Sequence, residues 1–290
     1  MMFQNLLLRL IFVAALAGVA GCHGKSAPDL PRTAAHGARP PAGAPAAVHA
    51  ESCTDHYLDG TAPRILNAKL SRETEALCFN EFAVMHSGIT RTPLWSAEHL
   101  QAEQIAAAQQ LSRENSFHAE DRLPAGERAE LADYARSGYD RGHMAPNGDM
   151  PDRDSQHDSF SLANIVPQDG ENNRHLWAAI EGAVRKMAKR EGDLYVVTGP
   201  AFLGSDLKKV GNVLVPTHLY KLVWSPRQKA GAAWFVENTA DAVPQVMSIP
   251  ELERTIGIDL LPAVDARDKE RMLRLPAVSA ESSGKKRRKS

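Results

Sequence analysis

The segment SGYDRGHMAPNGDM, Ser137–Met150, sets Asp140, Arg141 and His143 among glycines and a proline. An imidazole, with its ordinary pKa near neutrality, can take a proton from water. A guanidinium two residues away can hold an anion and offset the charge that develops on it. In an extended chain, residues two apart face the same side, so Arg141 and His143 can act on one group. Gly142 between them leaves room for a close approach. Such a pair suits phosphate-ester cleavage. That reaction needs a base for water, positive charge for the transition state and help for the leaving oxygen. A hydrated divalent cation can supply the last two. Taken alone, a His and an Arg beside a turn suit a structural loop equally well.

Candidates for holding a cation stand further along the chain. In NRHLWAAIEGAVRKMAKREG, Trp177, Ile180, Val184 and Met187 recur at helical spacing, and Gly192 is placed to end the helix. On that helix Asn173 and Glu181 are about 80° apart in rotation and ~12 Å apart along the axis, so both can border one cleft. Asn offers a neutral oxygen to a hard cation, and Glu can hold its bound water. A cation held by one amide oxygen keeps several waters, as Mg2+ prefers. Singly, Asn173 also suits a helix N-cap and Glu181 an exposed helical carboxylate.

The rest of the domain must position these groups. CFNEFAVMHSGITRTPLWSAEHL alternates and carries turn signals, which predicts strands. SAEHLQAEQIAAAQQLS predicts a helix with Ser96 as its cap. NIVPQ reads as a short strand and turn, DLYVVTGPAF as a buried strand, and VLVPTHLYKLVW and GAAWFVEN as further strands around a turn. SIPELERTIGIDLLP reads as a helix capped at Ser248, with Pro250 and Glu251 in its first turn. There is no internal repeat and no regular βαβ rhythm, so the fold class is α+β.

SGYDRGHMAP, then ANIVPQ, then Asn173 four residues before Trp177 and Glu181 four after it, resembles the DNA/RNA non-specific endonucleases. That family includes the secreted bacterial sugar-non-specific nucleases and mitochondrial endonuclease G. The resemblance runs from RENSFHAED, starting at Arg113, through YVVTGPAF and VPTHLYK to ELERTIGIDLLP. It implies a ββα-metal (His-Me finger) domain, with a central, mostly antiparallel sheet flanked by helices. It implies that His143 is the general base, that Asn173 is the direct protein ligand of Mg2+ (with Mn2+ as a substitute), and that Glu181 holds the metal's waters. Arg141 then contacts the scissile phosphate, and Arg113 stabilises the transition state. Asp140 and Asn164 support the strand end and the loop beside the site. The implied reaction is hydrolysis of DNA and RNA to 5′-phosphate and 3′-hydroxyl ends. The family includes monomers and dimers alike. The chain departs from the pattern in Asn172, a rival ligand beside Asn173, and in His175, which gates substrate or faces solvent. Asp149 and Asp152 are extra acids that recruit a second cation, repel phosphates or cap a turn. The competing readings are a catalytically inactive nucleic-acid-binding lipoprotein on the same fold and a structural envelope lipoprotein.

The bulk numbers suit one soluble domain with appendages: 290 residues, 43% hydrophobic, 24% charged, formal net charge -1. Apart from Arg9 and the five cations Lys285–Lys289, the chain is net acidic, so a polyanion site is a local basic patch. Arg9 precedes LIFVAALAGVA, which has the length of a signal-peptide core and is short for a bilayer span. VAGC, Val19–Cys22, resembles a lipobox, which makes Cys22 a lipidation site and the N-terminal lipid the chain's contact with the envelope membrane. An ordinary cleaved signal peptide and a retained anchor are the alternatives. The expected organisation is a leader over 1–21, a Pro/Ala/Gly tether over 22–50, the nuclease-like domain over 51–277 and a basic tail over 278–290. The tail's cations suit anionic lipid, nucleic acid or simple solvation. In an exported chain the remaining Cys53 and Cys78 predict a disulfide worth about 3 kcal/mol by loop closure, with two unpaired thiols as the alternative. No zinc spacing is present.

Overall fold

The structure, a computed structural model, describes residues 50–279. The leader, Cys22, the tether up to residue 49 and the tail from residue 280 lie outside the described residues. A short strand, β1 (Arg64–Ile65), precedes a meander of β2 (Thr74–Cys78), β3 (Ala83–Ser87) and β4 (Thr92–Gln101). α1 (Ala102–Ala108) follows β4 directly, and α2 (Leu131–Tyr134) is a single turn. β5 (Asp140–His143), α3 (Arg153–Ser159) and β6 (Ile165–Gln168) lead to a π-helical turn over Asn172–Trp177, which continues as α4 (Ala178–Glu191). Next come β7 (Asp193–Ala201), the small pair β8 (Lys209–Val210) and β9 (Val213–Leu214), then β10 (His218–Ser225) and β11 (Ala230–Glu237). β12 (Gln245–Met247), α5 (Ile249–Ile256), β13 (Ile258–Asp259) and α6 (Ala266–Lys269) complete the strands and α-helices of the described residues.

Seven strands form one sheet in the order β12-β11-β10-β7-β4-β3-β2, with every neighbouring pair antiparallel. The architecture is α+β, with helices against a central antiparallel sheet, as the fold expectation required. The central strands look almost continuously apolar because both of their faces are covered. On one face Leu100, Leu194, Val196, Leu219, Val223 and Trp234 pack with Ile180, Val184 and Met187 of α4. On the other, Ala97, Val197, Tyr220, Leu222 and Phe235 pack with Ile249, Leu252 and Ile256 of α5. Period-2 alternation in each strand sorts the side chains between these layers. Each fully buried Leu, Ile or Val contributes roughly 1.5–3 kcal/mol, which is what holds both helices down.

α4 and α5 obey their local signals. α4 stops at Gly192, where φ is 87°, a conformation that favours glycine. α5 starts at Ser248, whose side chain accepts the Glu251 N–H at 3.4 Å. The helix expected from Ser96 onward does not form there. Residues Ser96 to Gln101 pair with Thr198 to Asp193 of β7, and helix begins only at Ala102. Cys53 and Cys78 are joined, with Cα atoms 5.6 Å apart, so the paired-cysteine expectation holds over the unpaired one. The bond ties the start of the described chain to the end of β2.

Candidate active site

β5 and β6 pair antiparallel, with His143 opposite Ile165 and Asp140 opposite Gln168, and the π turn and α4 follow. Met144, Val166, Leu176 and Trp177 seat this ββα unit on the α4 side of the sheet. Pleating directs Arg141 and His143 to one side of β5, Asp140 and Gly142 to the other. Gly142 is required because a Cβ there would stand 2.1 Å from Gln168 Oε1. The space it leaves is filled by Gln168, whose Nε2 donates to Asn172 Oδ1 at 3.1 Å.

His143 is 7% exposed and sits between Phe117 and Phe160, with ring centroids 5.4 and 5.0 Å away. Its Nε2 is sealed from solvent, and no hydrogen bond reaches either ring nitrogen among the described residues. Burial, and then the positive charges of Arg113 and Arg141, push its pKa down to about 3. The ring is therefore neutral near pH 7, the state a base must have. The two phenyl rings meet edge to face at 4.8 Å. Arg141 lies 4.2 Å from the Phe117 centroid and Arg113 lies 5.0 Å from that of Phe160. One aromatic pair thus carries two guanidinium groups beside the imidazole. Arg113 also donates from Nε to Asn115 Oδ1 at 2.8 Å, while Arg141 makes no ion pair among the described residues.

On the other side of β5, Asp140 accepts two bonds from Arg174, at 2.8 and 2.9 Å, and one from Asn173 Nδ2 at 3.0 Å. The Arg174 bonds above all, then that of Asn173, hold its carboxyl below the usual range. With its nitrogen tied down, Asn173 keeps Oδ1 free of any hydrogen bond among the described residues. Asn172 is the opposite case. It is buried, its Oδ1 accepts from Gln168, and its Nδ2 donates to the carbonyls of Glu237 and Thr239 at 2.9 and 3.0 Å. Of the two candidate ligands, only Asn173 has an oxygen to offer. Nor is Asn173 the cap: Asp169 Oδ1 takes the N–H groups of Glu171 and Asn172, both at 3.0 Å.

Glu181 lies in the first turn of α4, half-buried, and makes no hydrogen bond or ion pair among the described residues. Burial raises its carboxyl pKa. The π turn before α4 places an extra residue in the helix, so the uniform α-helical angle between Asn173 and Glu181 does not apply. Such insertions often occur at functional positions. Asn164 is fully buried and fully engaged: Oδ1 accepts from Ser96 Oγ and the Ala145 N–H, and Nδ2 donates to the carbonyls of Ala145 and Ser159. Asp149 is buried against Arg185, Oδ1 to Nη1 2.9 Å, and Asp152 caps α3 by accepting the Ser155 N–H at 2.8 Å. His175 faces solvent, 3.3 Å from Glu171.

Sequence reasoning missed Phe117, Phe160 and Arg185, together with a buried polar group under the unit formed by Ser96, Glu98, Thr198 and Lys221. Arg185 had a signal, since it stands one helical turn beyond Glu181. The two phenylalanines had none, because nothing local marks a ring that packs on a distant histidine.

A family model described as DNA/RNA non-specific endonuclease matches residues 64–267. Nuclease C1 of Cunninghamella echinulata var. echinulata is 39% identical over 175 residues, which cover 55% of this chain and 69% of that protein. The mitochondrial nuclease of Saccharomyces cerevisiae is 34% identical over 219 residues, 66% of each chain. The human mitochondrial nuclease EXOG is 33% identical over 215 residues, 66% of this chain and 58% of that one. Among solved structures, the EndoG/EndoGI complex, described as giving the mechanism of EndoG inhibition, matches with a TM-score of 0.59 and 26% identity. It covers 71% of this chain and 89% of that one. The chain spans about two thirds or less of most of these curated relatives.

Proposed function

The chain belongs to the DNA/RNA non-specific endonuclease family, whose nucleases depend on a divalent metal, and from that premise we propose a specific activity. It is a Mg2+-dependent, sequence-non-specific endonuclease that hydrolyses DNA and RNA to 5′-phosphate and 3′-hydroxyl ends. One observation carries this reading. Among the described residues, His143, Asn173 and Glu181 keep polar atoms that no neighbour uses, whereas Asp140, Asn164 and Asn172 are committed to hydrogen bonds.

The donor set fits a hard cation. Asn173 Oδ1 is a neutral oxygen fixed in direction by the bond from its own Nδ2 to Asp140, and Glu181 is a carboxylate, unpaired among the described residues, that could accept from coordinated water. Asn173 and Glu181 would hold Mg2+, which when bound would supply positive charge against the phosphate and acidic water for the leaving oxygen. His143 takes a proton from the attacking water. Its sealed Nε2 keeps the ring's own hydrogen, which leaves Nδ1 as the accepting atom. Arg141 holds a non-bridging phosphate oxygen, and Arg113 meets the charge that builds in the transition state. Phe117 and Phe160 keep both guanidinium groups beside the imidazole. Because these contacts address the backbone and not the bases, DNA and RNA are both substrates, and binding weakens steeply with salt. The same proposal places the domain outside the cytoplasm on a lipid carried by Cys22. VAGC and the Cys53–Cys78 disulfide, a bond of oxidising compartments, support it.

The test is digestion of plasmid DNA and of total RNA by the purified chain with Mg2+, with EDTA, and with His143→Ala. Both substrates should be degraded with Mg2+ and preserved with EDTA. His143→Ala should be slower by on the order of 100- to 10,000-fold. Intact nucleic acid across several divalent metals, from a demonstrably folded protein, overturns the reading.

A further inference from the structure

The sheet face beneath the ββα unit is largely apolar, but besides Ser225 at the end of β10, which bonds Glu191 of α4, it buries four polar side chains near its centre. Ser96 and Glu98 of β4, Thr198 of β7 and Lys221 of β10 follow the same alternation as their apolar neighbours, yet each is at most 1% exposed. The register sets Ser96 opposite Thr198, and Thr198 opposite Lys221. A strand needs none of these groups to form, and burying an ammonium is costly unless its protons are placed. Ser96 and Lys221 hold groups above the sheet and Thr198 holds Lys221, whereas neither Glu98 carboxylate oxygen has a hydrogen-bond partner among the described residues.

Lys221 Nζ donates to the Met144 carbonyl at 3.2 Å and to Thr198 Oγ1 at 2.6 Å, and lies 5.6 Å from the Trp177 ring. Ser96 Oγ donates to Asn164 Oδ1 at 2.8 Å, and the Asn164 amide holds both backbone groups of Ala145. Met144 and Ala145 are the two residues that follow His143 at the end of β5, where one last backbone bond, from the Met144 N–H to the Asn164 carbonyl at 3.0 Å, leaves the Met144 carbonyl to Lys221. The chain leaving the histidine is therefore held from below, by an ammonium on one residue and an amide on the next. Among the described residues, none gives the imidazole itself a hydrogen bond to orient it.

We propose that Lys221 is a positioning residue for the hydrolysis: through the Met144 carbonyl it fixes the backbone that aims the His143 ring. This rests on the reading of His143 as the base. The rival account is that Lys221 merely offsets the carboxylates of the buried Glu98 and the half-buried Glu181, both within its electrostatic reach.

The experiment compares the wild-type chain with Lys221→Met and Thr198→Val at 25 °C with saturating Mg2+, reading kcat, KM and the His143 imidazole NMR signal, assigned by its loss in His143→Ala. Lys221→Met should lower kcat about 10-fold or more, keep KM within about 2-fold and move the imidazole signal. Lys221→Cys, aminoethylated under denaturing conditions and refolded, should regain most of both. Wild-type kcat and an unmoved signal in Lys221→Met, whatever its melting temperature, overturn the proposal in favour of simple charge compensation. If Lys221→Met does not fold, Thr198→Val decides, because it removes the shorter of the ammonium's two bonds without removing charge. A lower kcat at constant KM with a moved signal supports the proposal, and wild-type values for both overturn it. If the wild-type chain cleaves nothing, the nuclease reading fails, and the imidazole signal alone then decides the role of Lys221.

Discussion

The two faces of the seven-stranded sheet share one alternation and one set of strands, but they bury different chemistry. The face under α5 packs Ala97, Val197, Leu222, Ala233 and Phe235 on Ile249, Leu252 and Ile256, and Tyr220 directs its hydroxyl to the Leu94 carbonyl at 3.0 Å. The face under the ββα unit holds a comparable apolar layer, interrupted by Ser96, Glu98, Thr198 and Lys221. Since the α5 face stands without such groups, sheet stability does not require them. Buried polar residues on one face of an otherwise apolar sheet mark the side on which backbone geometry has to be controlled. The same contrast holds at close range in two adjacent residues. Asn172 spends its amide on holding the fold, and Asn173 withholds its oxygen.

That contrast can be broken most sharply at the two asparagines. Asn173→Ala should lower kcat by on the order of 1,000-fold, equivalent to about 4 kcal/mol, and raise the half-saturating Mg2+ concentration while barely moving the melting temperature. Asn172→Ala should do the reverse. It strands the Gln168 amide and the Glu237 and Thr239 carbonyls, costing roughly 1–3 kcal/mol of stability, with activity per folded molecule retained. A Mg2+ response lost in Asn172→Ala and kept in Asn173→Ala would exchange their roles. Next in size is Leu252→Ala on the opposite face, where a fully buried side chain of α5 leaves a cavity. Urea unfolding should register a loss of roughly 2–4 kcal/mol, with kcat per folded molecule unchanged at 25 °C. A fall in kcat with no loss of stability would mean that the two faces are coupled.

Local signals were legible in the chain, and long-range ones were not. α4, β7 and α5 follow from periodicity and from caps such as Gly192 and Ser248, all read within a few residues. DRGH and the Asn173–Trp177–Glu181 spacing were legible for the same reason. The stretch from Ser96 misled because Ala97, Glu98 and Leu100 suit a helix, whereas pairing with β7 across the sheet outweighs that weak preference. The π turn has no sequence mark. Separating Asn172 from Asn173 required knowing that residues 237 and 239 come to meet the former. Phe117, Phe160 and Lys221 reach the site from three other parts of the chain, and each reads locally as an ordinary residue of its own segment.

The smallest expected effect tests an acid that stands near the site in sequence. Asp152 invites a role with a second cation, as a carboxylate soon after His143. In the fold it is extended, with φ -141° and ψ 177°, and its Oδ1 accepts the Ser155 N–H that α3 leaves without a helical partner. α3 leads directly to Phe160, the ring packed on His143, so the cap supports the site only by holding that helix. Asp152→Ala should cost about 1 kcal/mol in urea unfolding, with kcat and the Mg2+ midpoint unchanged. Asp152→Asn separates the two accounts, because it keeps the oxygen that caps and removes the charge that would attract a cation. Near-wild-type stability and an unaltered Mg2+ response in that variant assign Asp152 to the helix. An equal shift of the Mg2+ midpoint in both variants would assign it to a second cation.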